Sequence, residues 1–239
     1  MAYQAVFERY ELKFLLTQAQ KTAVLAAMAP RMELDGYGRT TIRNVYYDTD
    51  NFRLIRKSIE NPGYKEKLRI RSYEKAGPDS PVFVELKKKY RSLVYKRRLS
   101  LPEQQAGAWL AGDHTVSDHS QIAREIDYFL DYYATLHPTV FLTYKREAYF
   151  SRGNGDFRVT FDDHILARTE DISLSSPLWG APLLPEGLYL MELKCSGGIP
   201  LWMTTVLSRE GIYKSSFSKY GTAYKTLIYP TLKEANFHV

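Results

Sequence analysis

Charged and apolar positions alternate along much of the chain, a pattern that predicts strands with one charged face. In Lys65–Arg71 every odd position is Lys or Arg. In Val84–Lys89 the odd positions are Glu85, Lys87 and Lys89, and in Val94–Leu99 Lys96 and Arg98 share a face. Leu190–Lys194 repeats the pattern with Glu192 and Lys194, and Ala5–Leu15 sets Arg9, Glu11 and Lys13 against Tyr10, Leu12 and Phe14. Side chains of a strand point alternately to its two faces, so one side carries charge and the other Leu, Ile, Val, Tyr and Phe. Further strands are predicted over 42–47, 139–150, 156–163 and 188–195, with 139–150 and 156–163 forming a hairpin around Arg152-Gly153-Asn154-Gly155. The total is about eight strands.

Helices are predicted between them. Thr17 and Gln20 form a capping-box signature for a helix to about Met28, stopped by Pro30. Asp48-Thr49-Asp50-Asn51 reads as a turn and helix cap, and Asn61-Pro62-Gly63 as a turn. A short helix starts at Pro102, and a longer one from Ser120 to Leu136 carries Ile122, Ile126, Phe129, Leu130 and Tyr133 on its apolar side. After a loop over 172–187, helices run from Pro200 to about Arg209 and from Lys219 to Ile228. This is an α+β chain, expected to form a single domain over 1–239. The pattern fits an open sheet that binds on its charged face. It also fits a closed barrel with charge inside and apolar residues outside against helices, which removes exposed strand edges.

Composition narrows the partners. The net charge of +6 and the pI of about 9.2 point to an anion, without choosing among phosphate compounds, nucleic acid and a membrane surface. The 19 tyrosines fall mostly on apolar faces, which argues against base-stacking platforms, so nucleic acid is not the expected partner. Cys195 is the only cysteine; it points away from the charged face, allows no intrachain disulfide and fits a reducing compartment. The start lacks a signal-peptide pattern and no run of about 18 apolar residues occurs, so a cytoplasmic protein without a membrane span is expected. The histidines have no metal spacing, and Walker, dinucleotide, nucleophile-elbow and zinc motifs are absent.

Two groups carry the candidate chemistry. Lys67, Arg69, Arg71, Lys87, Lys89, Lys96 and Arg98 either form a solvated basic face or bind a polyanion. The recurrence over several strands favours the polyanion, since Arg grips phosphate bidentately and Lys acts as a point charge. Glu11, Glu85 and Glu192 each stand two residues before a lysine (Lys13, Lys87, Lys194), as ion-pair partners or as ligands of Mg²⁺ or Mn²⁺ shared with substrate phosphates. Arg146 and Arg158, each taken alone, read as structural. Ser216–Gly221, with Ser218 and Lys219, precedes a helix whose amides can hold phosphate.

At these residues the chain resembles a known family. Phe7–Phe14, Lys67–Arg71, Val84–Lys87, Val94–Arg98, Tyr144–Arg146, Arg158–Asp162, Met191–Lys194 and Ser216–Tyr220 occur in the order seen in the VTC domain. That domain is the catalytic part of the vacuolar transporter chaperone polyphosphate polymerase, among the triphosphate tunnel metalloenzymes and CYTH-type triphosphatases. The resemblance spans about residues 5–228. It implies a closed eight-stranded antiparallel barrel, a triphosphate tunnel lined by Lys, Arg and Glu with helices outside.

It also implies transfer of the ATP γ-phosphate to a growing polyphosphate chain, with Mn²⁺ or Mg²⁺. Hydrolysis of a triphosphate, or polyphosphate binding without catalysis, are the alternatives. Arg69, Arg71, Lys87, Arg146 and Arg158 would act on the transferred group. Lys13, Lys67, Lys89, Lys96, Arg98, Lys194, Ser218 and Lys219 would bind substrate, and Glu192, with Glu85 and Glu11, would hold the metal. The chain departs from the polymerase at Ser216, where a Lys is expected and for which Lys214 is the candidate substitute, and at Lys89, where a His-type residue stands in the family. The triphosphatase signature Glu-x-Glu-x-Lys reads Arg9-x-Glu11-x-Lys13 here. Losing a carboxylate there weakens a two-metal hydrolase and favours long-polyanion binding.

Overall fold

The Thr17 hydroxyl accepts from the Gln20 amide while the Gln20 side chain accepts from the Thr17 amide, and this reciprocal cap turns β1 (Tyr10–Thr17) directly into α1 (Gln18–Met28). The computed structural model describes residues 10–60, 63–90, 93–113, 120–153 and 156–236. The expected strand portion before Tyr10 with Arg9, the turn residues Asn61, Pro62, Asn154 and Gly155, and His114, His119 and His238 lie outside the described residues.

β2 (Met32–Asp48) follows, and its last residue caps the next helix. The Asp48 carboxylate accepts from the amides of Leu54 and Ile55, opening α2 (Arg53–Glu60). The meander β3 (Tyr64–Ser72), β4 (Pro81–Tyr90) and β5 (Leu93–Pro102) leads to α3 (Glu103–Leu110) and α4 (Gln121–Tyr133), the latter capped by Ser120. Then come β6 (His137–Ser151), β7 (Arg158–Arg168), the two-residue β8 (Ala181–Pro182), β9 (Leu188–Cys195) and α5 (Leu201–Arg209). The chain continues through the two-residue β10 (Lys214–Ser215), α6 (Lys219–Ala223), a π-helical turn (Tyr224–Ile228) and α7 (Tyr229–Asn236).

Among the described residues there are ten strands in one antiparallel sheet, ordered β10-β1-β9-β7-β6-β2-β3-β4-β5 with β8 beside β7. The expected closed eight-stranded barrel is therefore corrected. β1 is flanked by β9 and β10, β5 pairs only with β4, and no described ladder joins the two ends. The sheet nevertheless curls strongly. Lys87 of β4 reaches Glu11 of β1 at 3.0 Å although β9, β7, β6, β2 and β3 separate those strands in the sheet. The charged face is the concave one.

The convex face is apolar and covered. Val45, Leu68, Ile70, Val84 and Leu86 pack against Trp109 of α3 and Ile126 and Phe129 of α4. Phe14, Leu16, Val159, Phe161, Met191 and Leu193 pack with Val24 and Met28 of α1 and Met203 and Val206 of α5. Cys195 is buried in this second cluster, away from the charge, as its place in the strand predicts. Burial of this kind contributes about 25 cal/mol per Å² of apolar surface and fixes which face of each strand is left for charge.

The C-terminal helical segment departs from the expectation of helices outside only. Ile42 and Tyr46 of β2 and Leu142 and Tyr144 of β6 point to the concave side. There they pack with Tyr220 and Ala223 of α6 and with Tyr224 and Ile228 of the turn that follows. Tyr46 and Tyr220 stack with ring centroids 4.7 Å apart. The segment thus fills one end of the concavity with apolar side chains and delivers Lys219 into the charged part.

Candidate functional site

Glu85 organises one wall of the concavity. In register it faces Arg69 on one side and Arg98 on the other. Its Oε2 accepts from Arg69 Nη2 at 2.6 Å, its Oε1 lies 2.6 Å from Lys96 Nζ, and Arg98 also bonds Oε1. Burial works against the charge of this carboxyl, which is 1% exposed, yet Arg69, Arg71, Lys96 and Arg98 together hold it well below the usual carboxylate range. Arg69 Nη1 donates to the Tyr46 hydroxyl at 2.9 Å. Arg71 is held in the same way, donating to Asn44 Oδ1 and to the Tyr144 hydroxyl, each at 2.9 Å.

The opposite wall is built around Lys219, the first residue of α6. Its Nζ lies 2.5 Å from Asp162 Oδ2 and 3.3 Å from Glu192 Oε1. Arg146 grips Asp162 at 2.6 and 2.7 Å and reaches Glu192 at 3.4 Å. Glu192 also meets Lys194 at 3.3 Å and Lys13 at 3.8 Å. The fully buried Asp162 and the nearly buried Glu192 are held below the carboxylate range by these cations despite burial, and Lys219 is raised by the two carboxylates despite its own burial. Glu11 bridges the walls, at 3.0 Å from Lys87 and 3.7 Å from Lys13; its carboxyl is lowered by Lys87, Lys194 and Lys13 against burial and against Glu192.

Between the walls like charges face each other. Lys65 opposes Lys89, and Lys67 opposes Lys87, which in turn opposes Lys96. Burial, and then the cations Lys13, Lys87, Lys65 and Arg69, push the Lys67 amine down to about 7. The Lys96 amine also falls to about 7, through burial and the cations Arg69 and Arg98, only partly offset by Glu85. Lys65 is lowered by burial and by Lys89 and Lys13. Lys67 Nζ donates to the Ser218 hydroxyl at 3.2 Å, and that oxygen caps α6 by accepting from the Gly221 amide at 3.2 Å. Cross-strand pairs of like charge are destabilising. This arrangement is therefore short of negative charge, and an anion in the concavity would supply it.

The structure brings nearly all the expected residues to this face. Lys89 and the exposed Arg158 are on it but make no ion pair among the described residues. Three residues that the sequence reading did not single out belong to the site. Asp162 shares a face with Arg158, and only the register reveals that it is the partner of both Arg146 and Lys219. Tyr46 and Tyr144, expected with the other tyrosines on apolar faces, point instead at Arg69 and Arg71. The phenol of Tyr144 is lowered by Arg146, Arg71 and Lys219 despite burial. Lys214 does not take the place of the family's missing lysine: it lies opposite Phe14, whose side chain belongs to the convex core, and Ser215 lies opposite Lys13.

Glu11, Glu85 and Glu192 each have both oxygens facing cations, and no group of three or more metal-type ligands forms among the described residues, so the three do not make one centre. Glu11 and Glu192 do lie near one another, with the Lys13 ammonium 3.7 Å from one and 3.8 Å from the other. A cation already sits between them, and two carboxylates together with substrate oxygens form a donor set that suits Mg²⁺ or Mn²⁺.

The sequence profile of the VTC domain matches residues 8–228. A search of curated proteins finds no match. Among the solved structures that share the fold are two with a TM-score above 0.5. One is a Bacillus halodurans protein described as a candidate adenylate cyclase, with a TM-score of 0.56 and 16% identity, covering 90% of this chain and 96% of its own. The other is HpAC1 from Hippeastrum, described as a candidate adenylyl cyclase with a dominant triphosphatase activity, with a TM-score of 0.51 and 15% identity, covering 91% of this chain and 95% of its own. Among the described residues no helix is long and apolar enough to cross a membrane.

Proposed function

Because the chain belongs to the VTC domain family, we propose that its concave basic face binds the triphosphate of ATP and moves the γ-phosphate onto inorganic polyphosphate. The observation that carries this reading is the column of facing cations Lys67, Lys87 and Lys96 between two walls of buried ion pairs. A flexible phosphate chain carries charge at every unit and can neutralise such a column along its length.

Phosphoryl transfer depends on alignment and charge neutralisation more than on a covalent residue. Arg69 and Arg71 are already fixed by Glu85, Tyr46, Asn44 and Tyr144, so they lose little freedom on meeting a phosphoryl group. Lys67 and Lys96 take up protons when an anion binds beside them, because the anion offsets the burial and the repulsion that lower them. Glu192 and Glu11 would hold a divalent cation, which when bound would neutralise phosphate oxygens. Lys13, Lys194, Lys219 and Arg146 fix those two carboxylates. The acceptor is the terminal phosphate of the growing chain.

A second reading is triphosphate hydrolysis in the same concavity, with water as acceptor. It draws support from the fold shared with HpAC1, whose dominant activity is described as triphosphatase. Purified protein with ATP and Mn²⁺, assayed in parallel for polyphosphate on a gel and for free phosphate, separates the two. The proposed reaction gives chains that disappear in Glu192→Gln. Free phosphate without chains moves the assignment to hydrolysis, and neither product from a protein that binds polyphosphate leaves a binding module.

A further inference from the structure

On the concave face one buried polar side chain has no hydrogen-bond partner among the described residues. Thr160 lies on β7 between Arg158 and Asp162, opposite Ala148 on β6 and Glu192 on β9. Its neighbours Val159 and Phe161 enter the convex core, so Thr160 faces the concavity. The residue is 6% exposed, and its Oγ1 is buried without a hydrogen bond among the described residues. Buried hydroxyls are almost always bonded, because an unmet one costs stability. Glu192, directly across the ladder, does not meet it: the Glu192 oxygens are taken by Lys13, Lys219, Arg146 and Lys194. On the other side Ala148 has no polar side-chain atom to offer it.

We propose that Thr160 is a ligand-contacting residue whose hydroxyl donates to a phosphoryl oxygen of the bound triphosphate, beside Glu192. The inference rests on the reading of the concavity given above. It explains why a threonine stands in a row of charged positions. A hydroxyl can donate to phosphate without adding another cation next to Lys194 and Arg158, and rotation about χ1 exchanges its buried direction for one facing the ligand. It also explains why a buried hydroxyl stands without a partner in the free protein.

The test is titration calorimetry of inorganic tripolyphosphate into the wild type, Thr160→Val and Thr160→Ser, with thermal unfolding of each free protein. Valine keeps the shape and removes the unmet hydroxyl. The expected result is about ten- to hundredfold weaker binding by Thr160→Val, the loss of one hydrogen bond to a charged group. Its melting temperature should equal or exceed the wild type's, with affinity near wild type in Thr160→Ser. Wild-type affinity in Thr160→Val overturns the inference while leaving the concavity as the binding site. A lower melting temperature in Thr160→Val also overturns it, because the hydroxyl would then have a partner in the free protein. Absence of tripolyphosphate binding by the wild type overturns both this inference and the reading it rests on.

Discussion

Lys219→Met is expected to be the most damaging single change on the concave face, lowering stability by about 3–5 kcal/mol. Lys219 is 9% exposed and stands between Asp162 and Glu192, themselves 0% and 6% exposed. Methionine matches the lysine stem in length but leaves the fully buried Asp162 with Arg146 alone, which Glu192 shares while keeping Lys194 and Lys13. Coulomb repulsion at this separation is strong wherever water is excluded. Ser218 already caps α6 and Tyr220 bonds Asp48 at 2.8 Å, so neither of these hydroxyls replaces the lost ammonium. Denaturant unfolding measures the loss, and Asp162→Asn in the Lys219→Met background should recover part of it by removing one of the two charges. A loss below about 1 kcal/mol would show that the carboxylates find other partners. The same ionised groups set the pH response. Asp162 and Glu192 have folded values below their unfolded ones, so their contribution is present above the ordinary carboxylate range and is lost as pH falls through the shifted values.

Arg69→Ala should have the largest effect on turnover, a loss of about 10³-fold or more, the scale seen when an arginine that stabilises a transferring phosphoryl group is removed. Its effect on stability should be smaller than that of Lys219→Met, because Glu85 keeps Lys96 and Arg98 after Arg69 is gone. Arg69→Lys should not restore activity. The guanidinium donates through Nε and Nη2 to Glu85 and through Nη1 to Tyr46, a planar fork that one ammonium does not reproduce. Steady-state rates with ATP and Mn²⁺, beside a thermal melt of the same samples, separate the two effects. Full activity in a folded Arg69→Ala protein would remove this wall from the reaction.

Much of this was legible in the alternation along the chain. The capping box at Thr17, the strand over Leu188–Cys195 and the helix after Pro200 follow from local signals and occur as the sequence predicts. The one-sided charge of β3, β4 and β5 follows from period two alone. What stayed hidden depends on register and on chain paths. The sequence predicts only 42–47 of β2; its earlier part pairs with β6 through Met32–Leu34 and from Arg39 onward, across a register shift at the stretch that holds Gly36 and Gly38. A register shift opposite Thr143–Lys145, with His164 at φ 47°, lets both Asp162 and Ile165 face the concavity although strict alternation would separate them. The two-residue strands β8 and β10 are too short to leave a pattern, and β10 occupies the edge of β1. Local periodicity is also blind to the C-terminal helices entering the concavity, since an apolar stripe does not state which sheet face it covers. For the same reason Tyr46 and Tyr144 look like core residues until Arg69 and Arg71 are seen to donate to them.

The facing lysines Lys67 and Lys96 are expected to be completed by a phosphate chain. NMR titration of lysine ε-carbons, with Lys67→Arg and Lys96→Arg for assignment, measures this in the free protein and with inorganic tripolyphosphate. Both amines should titrate near 7 in the free protein and rise by about one unit or more when tripolyphosphate is bound, each unit being about 1.4 kcal/mol of interaction. By linkage, tripolyphosphate should bind less tightly as pH rises above 7, because binding then requires proton uptake. Two amines that titrate in the same place with and without tripolyphosphate would contradict the account.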